Sequence, residues 1–117
     1  MNEKGLRWNT IERIVQILIR QYQPERIILF GSYAYGEPDQ ASDIDLLIVK
    51  QTDLPFHKRW AEVCRLVSHL RRGIPFSPFV ITPDELDERL ALGDPFFREI
   101  LEKGETLYAR SGIPSPR

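Results

Sequence analysis

Residues 26–49, which read RIILFGSYAYGEPDQASDIDLLIV, hold the two apolar segments from which the fold is predicted. Residues 26–30 are short, apolar and rich in isoleucine, and Gly31 follows them directly, which is typical of a buried strand that ends in a tight turn. Residues 43–49 predict a second strand with an acidic entrance. Because the connection between them is too short for a crossover helix of ordinary size, we expect the two strands to be antiparallel.

Helices are predicted before and after this stretch. Asn9, with Glu12 three residues later, indicates a capping box that starts a helix, and Pro24 ends that helix. A long helix is predicted over residues 53–72, and its basic side chains, Arg59 among them, are expected to form a solvated face or a docking surface for an acidic partner. The apolar stripe of this long helix comprises Phe56, Trp60, Val63, Cys64, Val67 and Leu70.

The last third of the chain predicts one more strand pattern and two short helices. Residues 76–81 read as a strand that Pro78 places at a sheet edge. Thr82 and Glu85 form a capping box that starts a helix, and a further helix precedes a final strand over residues 105–110. The order predicts an α/β (α+β) fold, a small mixed β-sheet with helices packed mainly on one face.

The length and composition of the chain limit the classes of protein to which it can belong. The chain has 117 residues, a net charge of −1 and a pI of about 6.1, which predicts a single domain at residues 1–110 with a flexible tail at 111–117 and argues against a nucleic-acid partner. Cys64 is the only cysteine, which excludes an internal disulfide and a multi-cysteine metal site. With no apolar run of membrane-spanning length and no signal-peptide pattern, we expect a cytoplasmic protein without a membrane span.

Asp43 and Asp45 are the candidate metal ligands. Strand alternation places both side chains on one face of the predicted strand. Two close carboxylates repel each other unless a cation lies between them, and hard oxygen ligands suit Mg²⁺ or Mn²⁺. Each such pair is often only a solvated strand end, so the prediction depends on what lies beside it.

Gly31 and Ser32 supply the second half of a site. Glycine lets the backbone turn closely around a phosphate, free N–H groups at a helix start bind anions, and serine adds a hydroxyl donor. A Walker loop is excluded because Glu37-Pro38 stands where lysine and serine or threonine are required. A phosphate-binding turn beside a carboxylate pair on the neighbouring strand predicts a site for a nucleotide and a metal ion.

Residues 30–49 resemble the signature of the polymerase-β-like nucleotidyltransferases. They are similar in particular to the minimal nucleotidyltransferases, whose Gly-Ser-x10-Asp-x-Asp pattern they meet at every position. The resemblance implies metal-dependent transfer of a nucleoside monophosphate, AMP from ATP, to a hydroxyl acceptor with release of pyrophosphate. By the same resemblance, Gly31 and Ser32 bind the nucleoside triphosphate, and Asp43 and Asp45 are the catalytic residues that bind Mg²⁺ or Mn²⁺.

The family also implies partners. Many minimal nucleotidyltransferases act beside a HEPN-domain protein in toxin–antitoxin pairs, so the resemblance implies such a partner protein as one acceptor; a nucleic-acid end and a small molecule are the other acceptors that the sequence leaves open. Because the chain is too short to include a separate acceptor domain, we expect another subunit, a partner or a second copy in a homo-oligomer, to complete the cleft.

Ser77 is a departure from the family pattern. It stands where the family has a third carboxylate, which would help to deprotonate the acceptor hydroxyl, a general-base contribution of about 10²–10⁴-fold. Asp84 and Glu85 follow nearby, but they are already assigned to a helix start. The alternative function is therefore an antitoxin-like subunit that binds nucleotide and partner with weakened catalysis.

Overall fold

A computed structural model describes residues 3–39, 42–71 and 73–111 of the protein. Its elements in chain order are α1 (Glu3–Ile17), β1 (Arg26–Phe30), α2 (Ser32–Tyr35), β2 (Ile44–Val49), α3 (Phe56–Val67), β3 (Phe76–Ile81), α4 (Pro83–Ala91), α5 (Pro95–Lys103) and β4 (Glu105–Ala109). A π-helical segment, Leu18–Tyr22, continues α1, and a 3₁₀ turn, Ser68–Leu70, continues α3. None of the helices in the described ranges combines the length and the apolar character that crossing a membrane requires.

The four strands form one mixed sheet in the order β3-β2-β1-β4. Strand β1 is antiparallel to β2 and to β4, whereas β2 and β3 run parallel, so the predicted mixed sheet and the predicted antiparallel pair are confirmed. Strand β3 lies at the edge, as Pro78 indicated. The registers align Phe30, Asp45 and Ser77 in one row across β1, β2 and β3.

The sheet separates two apolar clusters of unequal size. The first face carries the larger cluster under α1 and α3, and its buried members include Ile11, Ile14, Leu18, Ile27, Leu46, Ile48, Val63 and Val67. The second face carries a smaller cluster under α4 and α5, namely Ile28, Leu47, Val49, Ile81, Leu86, Phe97 and Ile100. Most helical residues lie on the first face, as predicted, and α4 and α5 add a second layer that the pattern had not indicated.

Two predicted helix boundaries are wrong. Helix α1 begins at Glu3, so Asn9 lies inside the helix and does not cap it. The reason is tertiary, because the buried side chain of Arg7 contacts Tyr33 and anchors the turn that precedes Asn9. Helix α3 ends at Val67 and tightens into the 3₁₀ turn, and Arg72, where the helix was predicted to end, lies outside the described residues.

The predicted faces of α3 also need correction. Phe56 and Trp60 are exposed, although the apolar stripe predicted both to be buried. Arg59 is buried rather than solvated, because it lies one helical turn before Val63 on the side that faces the protein. The predicted tail, residues 111–117, falls outside the described residues except for Ser111.

Arg59 and Glu85 join the two helical layers around the β3 edge. The guanidinium makes a two-point contact with the Glu85 carboxylate at 2.7 and 3.2 Å, and it also donates to the carbonyl oxygens of Leu54 and Val80. Glu85 at the same time accepts from the backbone N–H of Thr82 in the predicted capping box, which is confirmed. The hydrogen bonds from Arg59 hold the Glu85 pKa down at about 2, in spite of the opposing effect of burial.

Candidate active site

The turn after β1 requires glycine. Gly31 has φ 72° and ψ −153°, a backbone conformation that is almost restricted to glycine, and it caps the start of α2. Its carbonyl oxygen accepts from the N–H groups of Ala34 and Tyr35 at 3.0 and 3.1 Å. A side chain at this position would also collide with the carboxylate of Asp45. The predicted phosphate-binding turn and the predicted metal ligand are therefore in direct proximity.

The two aspartates lie at the same end of β2. Asp45 points to the second face, in the row with Phe30 and Ser77, and Asp43 lies two residues before it. The Ser77 hydroxyl donates to Oδ2 of Asp43 at 2.7 Å, which brings β3 into the site. All four residues predicted from the sequence, Gly31, Ser32, Asp43 and Asp45, therefore lie around one corner of the sheet.

The electrostatics of this corner differ from those of an ordinary surface. Burial, and secondarily the charge of Asp43, raise the pKa of Asp45 to about 6. Within the described ranges, no ion pair involves either aspartate. Two carboxylates held together without a cationic side chain keep negative charge in a position where it is costly. Titratable groups with strongly perturbed pKa values cluster at functional sites, so this corner is a candidate site.

The donor set fits a magnesium or manganese ion. Mg²⁺ is commonly bound by one or two carboxylates and completes its coordination with water and substrate phosphate oxygens. Asp43 and Asp45 provide the carboxylates, and the turn at Gly31 leaves space only for backbone beside them. The described part of the chain has no group of three or more acidic, histidine or cysteine residues able to hold a metal. This agrees with serine at position 77.

Within residues 3–39, 42–71 and 73–111, no other carboxylate takes the place of the acid that the family pattern predicts on β3. Ser77 occupies that position and shares a row with Asp45, so the alignment of the two strands is as expected. Glu85 is tied to Arg59 and to its own helix start, and Asp84 is exposed on α4. The site therefore has two carboxylates, Asp43 and Asp45, and the neutral hydroxyls of Ser32 and Ser77.

Helix α2 and the loop behind it are anchored to α1. The buried guanidinium of Arg7 donates to the hydroxyl of Tyr33 and, at 2.7 Å, to the carbonyl oxygen of Asp39. Tyr33 is buried in the larger cluster, directly after Ser32. Sequence reasoning missed Arg7, because its only local signal is an arginine in an otherwise ordinary helical segment.

Sequence reasoning also missed an aromatic groove beside the acidic pair. The groove, formed by Phe56, Phe79, Phe96 and Phe97, has a volume of about 460 Å³ on the second face of the sheet. One signal was present in the sequence: Phe79 follows Ser77 by two residues and so shares its face. The contributions of α3 and α5 depend on tertiary packing and had no local signal.

Comparisons with known proteins agree on one protein family. The family described as Polymerase beta, Nucleotidyltransferase matches residues 12–112 of the chain. A protein of Methanocaldococcus jannaschii named "Putative protein adenylyltransferase MJ0604" is 32% identical over 110 residues, which are 92% of this chain and 100% of that protein. A second from the same organism, "Putative protein adenylyltransferase MJ1305", is 31% identical over 121 residues, covering 97% of this chain and 78% of that protein.

Solved structures share the fold. A chain in a crystal structure of a toxin-antitoxin with AMP-PNP superimposes with a TM-score of 0.54 at 22% identity, covering 88% of this chain and 73% of that one. A chain in a structure of a mutant toxin-antitoxin MntA-HpeT gives a TM-score of 0.53 at 21% identity, with 86% and 73% covered. These similarities confirm the architecture in which the corner at Gly31 and Asp45 is set.

Proposed function

Because the chain belongs to the polymerase β nucleotidyltransferase family, we propose that it transfers AMP from ATP to a hydroxyl group of a partner protein. In this proposal Asp43 and Asp45 hold a divalent cation, Mg²⁺ or Mn²⁺, and Gly31 and Ser32 bind the triphosphate. The observation that carries the proposal is the carboxylate of Asp45, which lies against the glycine turn at the start of α2 and beside the like charge of Asp43.

The chain's own residues would perform three tasks in this reaction. The N–H groups at the start of α2 and the Ser32 hydroxyl bind the oxygens of the leaving pyrophosphate. Asp43 and Asp45 fix the position of the cation, which when bound neutralises charge on the triphosphate. The acceptor oxygen bonds to the α-phosphorus, the bond from that phosphorus to the bridging oxygen breaks, pyrophosphate leaves, and the hydroxyl proton passes to solvent.

The partner protein is part of the proposal. Relatives of the chain have names that describe protein adenylyltransferases, and similar folds occur in toxin-antitoxin structures, one of them with AMP-PNP. A HEPN-domain protein, which the family resemblance implies, is the partner class that we propose. In this proposal the partner, or a second copy of the chain, supplies the acceptor and completes the cleft beside the four-stranded sheet.

A second candidate function is favoured by Ser77. Its hydroxyl donates to Asp43 at the position where an ionised acid would help to deprotonate the acceptor. With this general base missing, the chain would act as an antitoxin-like subunit that binds nucleotide and partner while turnover is slow. The two candidates share the nucleotide site and differ only in the rate of transfer.

The first test removes the metal ligands. In the double variant Asp43→Asn with Asp45→Asn, we expect the Mg²⁺-dependent part of ATP affinity to fall by about 100-fold, equivalent to about 2.7 kcal/mol. Titration calorimetry with ATP, with and without Mg²⁺ or Mn²⁺, measures the loss. Asp53→Asn is the matched control, because Asp53 is exposed in a loop outside the site. Equal ATP affinity with and without Mg²⁺ in the wild type, or no loss in the double variant, would refute the site.

Labelled ATP separates the two candidate functions. The chain is incubated with ATP labelled on the α-phosphate, alone and with the product of the adjacent gene, and label on protein is counted. Transfer that disappears in the double variant supports the enzyme. Mg²⁺-dependent ATP binding without transfer supports the antitoxin-like subunit.

A further inference from the structure

We propose that the aromatic groove is the docking site for a basic, apolar segment of the protein that presents the acceptor hydroxyl. This inference rests on the proposed function, because it names the substrate surface of the same site. The groove and the acidic pair share the second face of the sheet, and the groove is open to solvent.

Strand registers place the groove next to the carboxylates. Phe30, Asp45 and Ser77 form the row at the end of the sheet, and Leu47 and Phe79 are paired in the next row. Successive rows on one face of a sheet are about 7 Å apart. A segment bound over Phe79 therefore reaches the acidic pair with a single side chain.

A continuous run of ring contacts links the groove to the site. Phe30 and Phe96 meet edge to face with ring centroids 5.7 Å apart, and Phe96 and Phe97 are 5.1 Å apart. Phe97 lies 5.6 Å from Phe79, and Phe79 lies 5.7 Å from Phe56. The rings thus extend from the residue that precedes Gly31 to the start of α3. Edge-to-face contacts hold aromatic side chains in defined positions, which provides a preformed surface.

Three of these rings remain exposed in the folded chain. Phe56, Phe96 and Phe79 are 50%, 46% and 37% exposed. Single exposed apolar residues are common, but a contiguous set beside a functional site indicates a binding surface. Aromatic residues are also the residue types that contribute most to protein interfaces.

The charge around the groove indicates which kind of segment it can bind. Glu88 and Asp94 line it against one arginine, Arg89, and α4 adds Asp84 and Asp87 on its solvent side. Glu85 also lines the groove, but its charge is neutralised by Arg59. The remaining groove lining keeps one negative charge in excess of Arg89, and the acidic pair at the sheet end adds to it. A cationic peptide segment complements it, whereas a nucleic-acid strand or a second triphosphate is repelled.

The probe for the test is a pair of fluorescein-labelled heptapeptides that differ only in charge. One reads Lys-Leu-Phe-Ser-Tyr-Leu-Lys, and the other has glutamate in place of both lysines. Binding to the full chain is measured by fluorescence anisotropy. We expect the basic peptide to bind at least about tenfold more tightly than the acidic one, and to lose about tenfold or more in Phe96→Ser and in Phe79→Ser.

Matched controls isolate the groove. Leu92→Ser removes an even more exposed apolar side chain, 72% exposed and outside the groove, and should leave the binding of the basic peptide unchanged. Glu88→Lys should weaken the basic peptide and strengthen the acidic one. Circular dichroism checks the fold of each variant. Phe79→Ser alters a strand and is the more disruptive change. If it does not fold, Phe96→Ser still tests the proposal.

Nucleotide binding separates failure of this proposal from failure of the proposed function. The two phenylalanine variants should bind ATP with Mn²⁺ as tightly as the wild type. Loss of ATP or single-stranded oligonucleotide binding in these variants would assign the groove to a nucleobase and overturn the docking proposal. Equal binding of both peptides, or basic-peptide binding unaffected by Phe96→Ser, would also overturn it. The two peptide results say nothing about Mg²⁺-dependent ATP binding at Asp43 and Asp45. That binding, measured in the double variant, tests the proposed function separately.

Discussion

Glu85 and Asp45 are both partly buried carboxylates on the second face of the sheet, and the protein treats them in opposite ways. Glu85 receives two hydrogen bonds from Arg59 and one from Thr82, which lower its pKa to about 2. Asp45 has no cationic partner and lies beside Asp43, and its pKa rises to about 6. The fold stabilises the charge of Glu85, whereas it does not stabilise the charge of Asp45.

This difference is what the proposed function predicts for a structural carboxylate and a metal-binding one. Folding gains from ionised Glu85, because its partners are already in place. Ionised Asp45 opposes folding, and in the proposed function a bound cation offsets that cost. Three substitutions test the contrast, and their expected effects on the free energy of unfolding decrease in the order given.

Arg59→Met should give the largest effect, a loss of about 2–3 kcal/mol at pH 7. The guanidinium is 6% exposed and Glu85 34% exposed, so the estimate lies at the lower end of values for a broken buried pair. Urea unfolding measures the loss. Arg65→Met, on the exposed side of the same helix, is the control and should change stability by less than about 0.5 kcal/mol.

The pH dependence of the stability of the Arg59 variant tests whether Arg59 is the main cause of the low Glu85 pKa. The folded-state pKa of Glu85, about 2, lies below its unfolded value of about 4.3, so its contribution is present above pH 4.3 and is lost as the pH falls toward 2. Arg59→Met should weaken that slope. An unchanged slope would contradict the assignment of Arg59 as the main cause.

Asp45→Asn should have the opposite sign and stabilise the metal-free protein by about 1 kcal/mol at pH 7. Because the folded pKa of about 6 exceeds the unfolded value of about 3.9, the wild type loses stability as the pH rises from 4 to 6. The variant should lose that slope. Thermal unfolding in EDTA at pH 4 and pH 7 measures both, with Asp53→Asn as control. If the variant were less stable than the wild type at pH 7, Asp45 would stabilise the fold as Glu85 does, and the contrast between the two carboxylates would be wrong.

Ser77→Ala should give the smallest effect, a loss of about 0.5–1 kcal/mol, because it removes one hydrogen bond to Asp43. Chemical unfolding at pH 7 measures it, and Ser68→Ala, an exposed serine after α3, serves as the control. A loss as large as that of Arg59→Met would show that the acidic pair depends on Ser77 as strongly as Glu85 depends on Arg59.

Local signals account for the parts of the fold that were predicted correctly. The strands at residues 26–30 and 76–81 and the capping box at Thr82 follow from short-range patterns, and the structure confirms them. Alternation along β2 also predicted the common face of Asp43 and Asp45. That Asp45 lies against Gly31 follows from the register of β1 and β2, which no local pattern specifies.

Tertiary contacts account for the errors. The start of α1 depends on Arg7, which contacts a tyrosine 26 residues away. Arg59 was placed on a solvated face because it stands in a basic run, whereas its spacing from Val63 puts it on the buried side. The aromatic groove joins residues of three elements, so its formation depends on how α3, β3 and α5 pack together.

The contact of Arg59 with Glu85 and with the carbonyl oxygen of Val80 has a mechanical consequence. It couples α3, the edge strand and α4 at one point, so the wall of the groove and the strand that carries Ser77 resist sliding past each other. If a partner segment docks on the phenylalanine rings as proposed, these contacts are expected to help keep the rings at a fixed distance from the carboxylates.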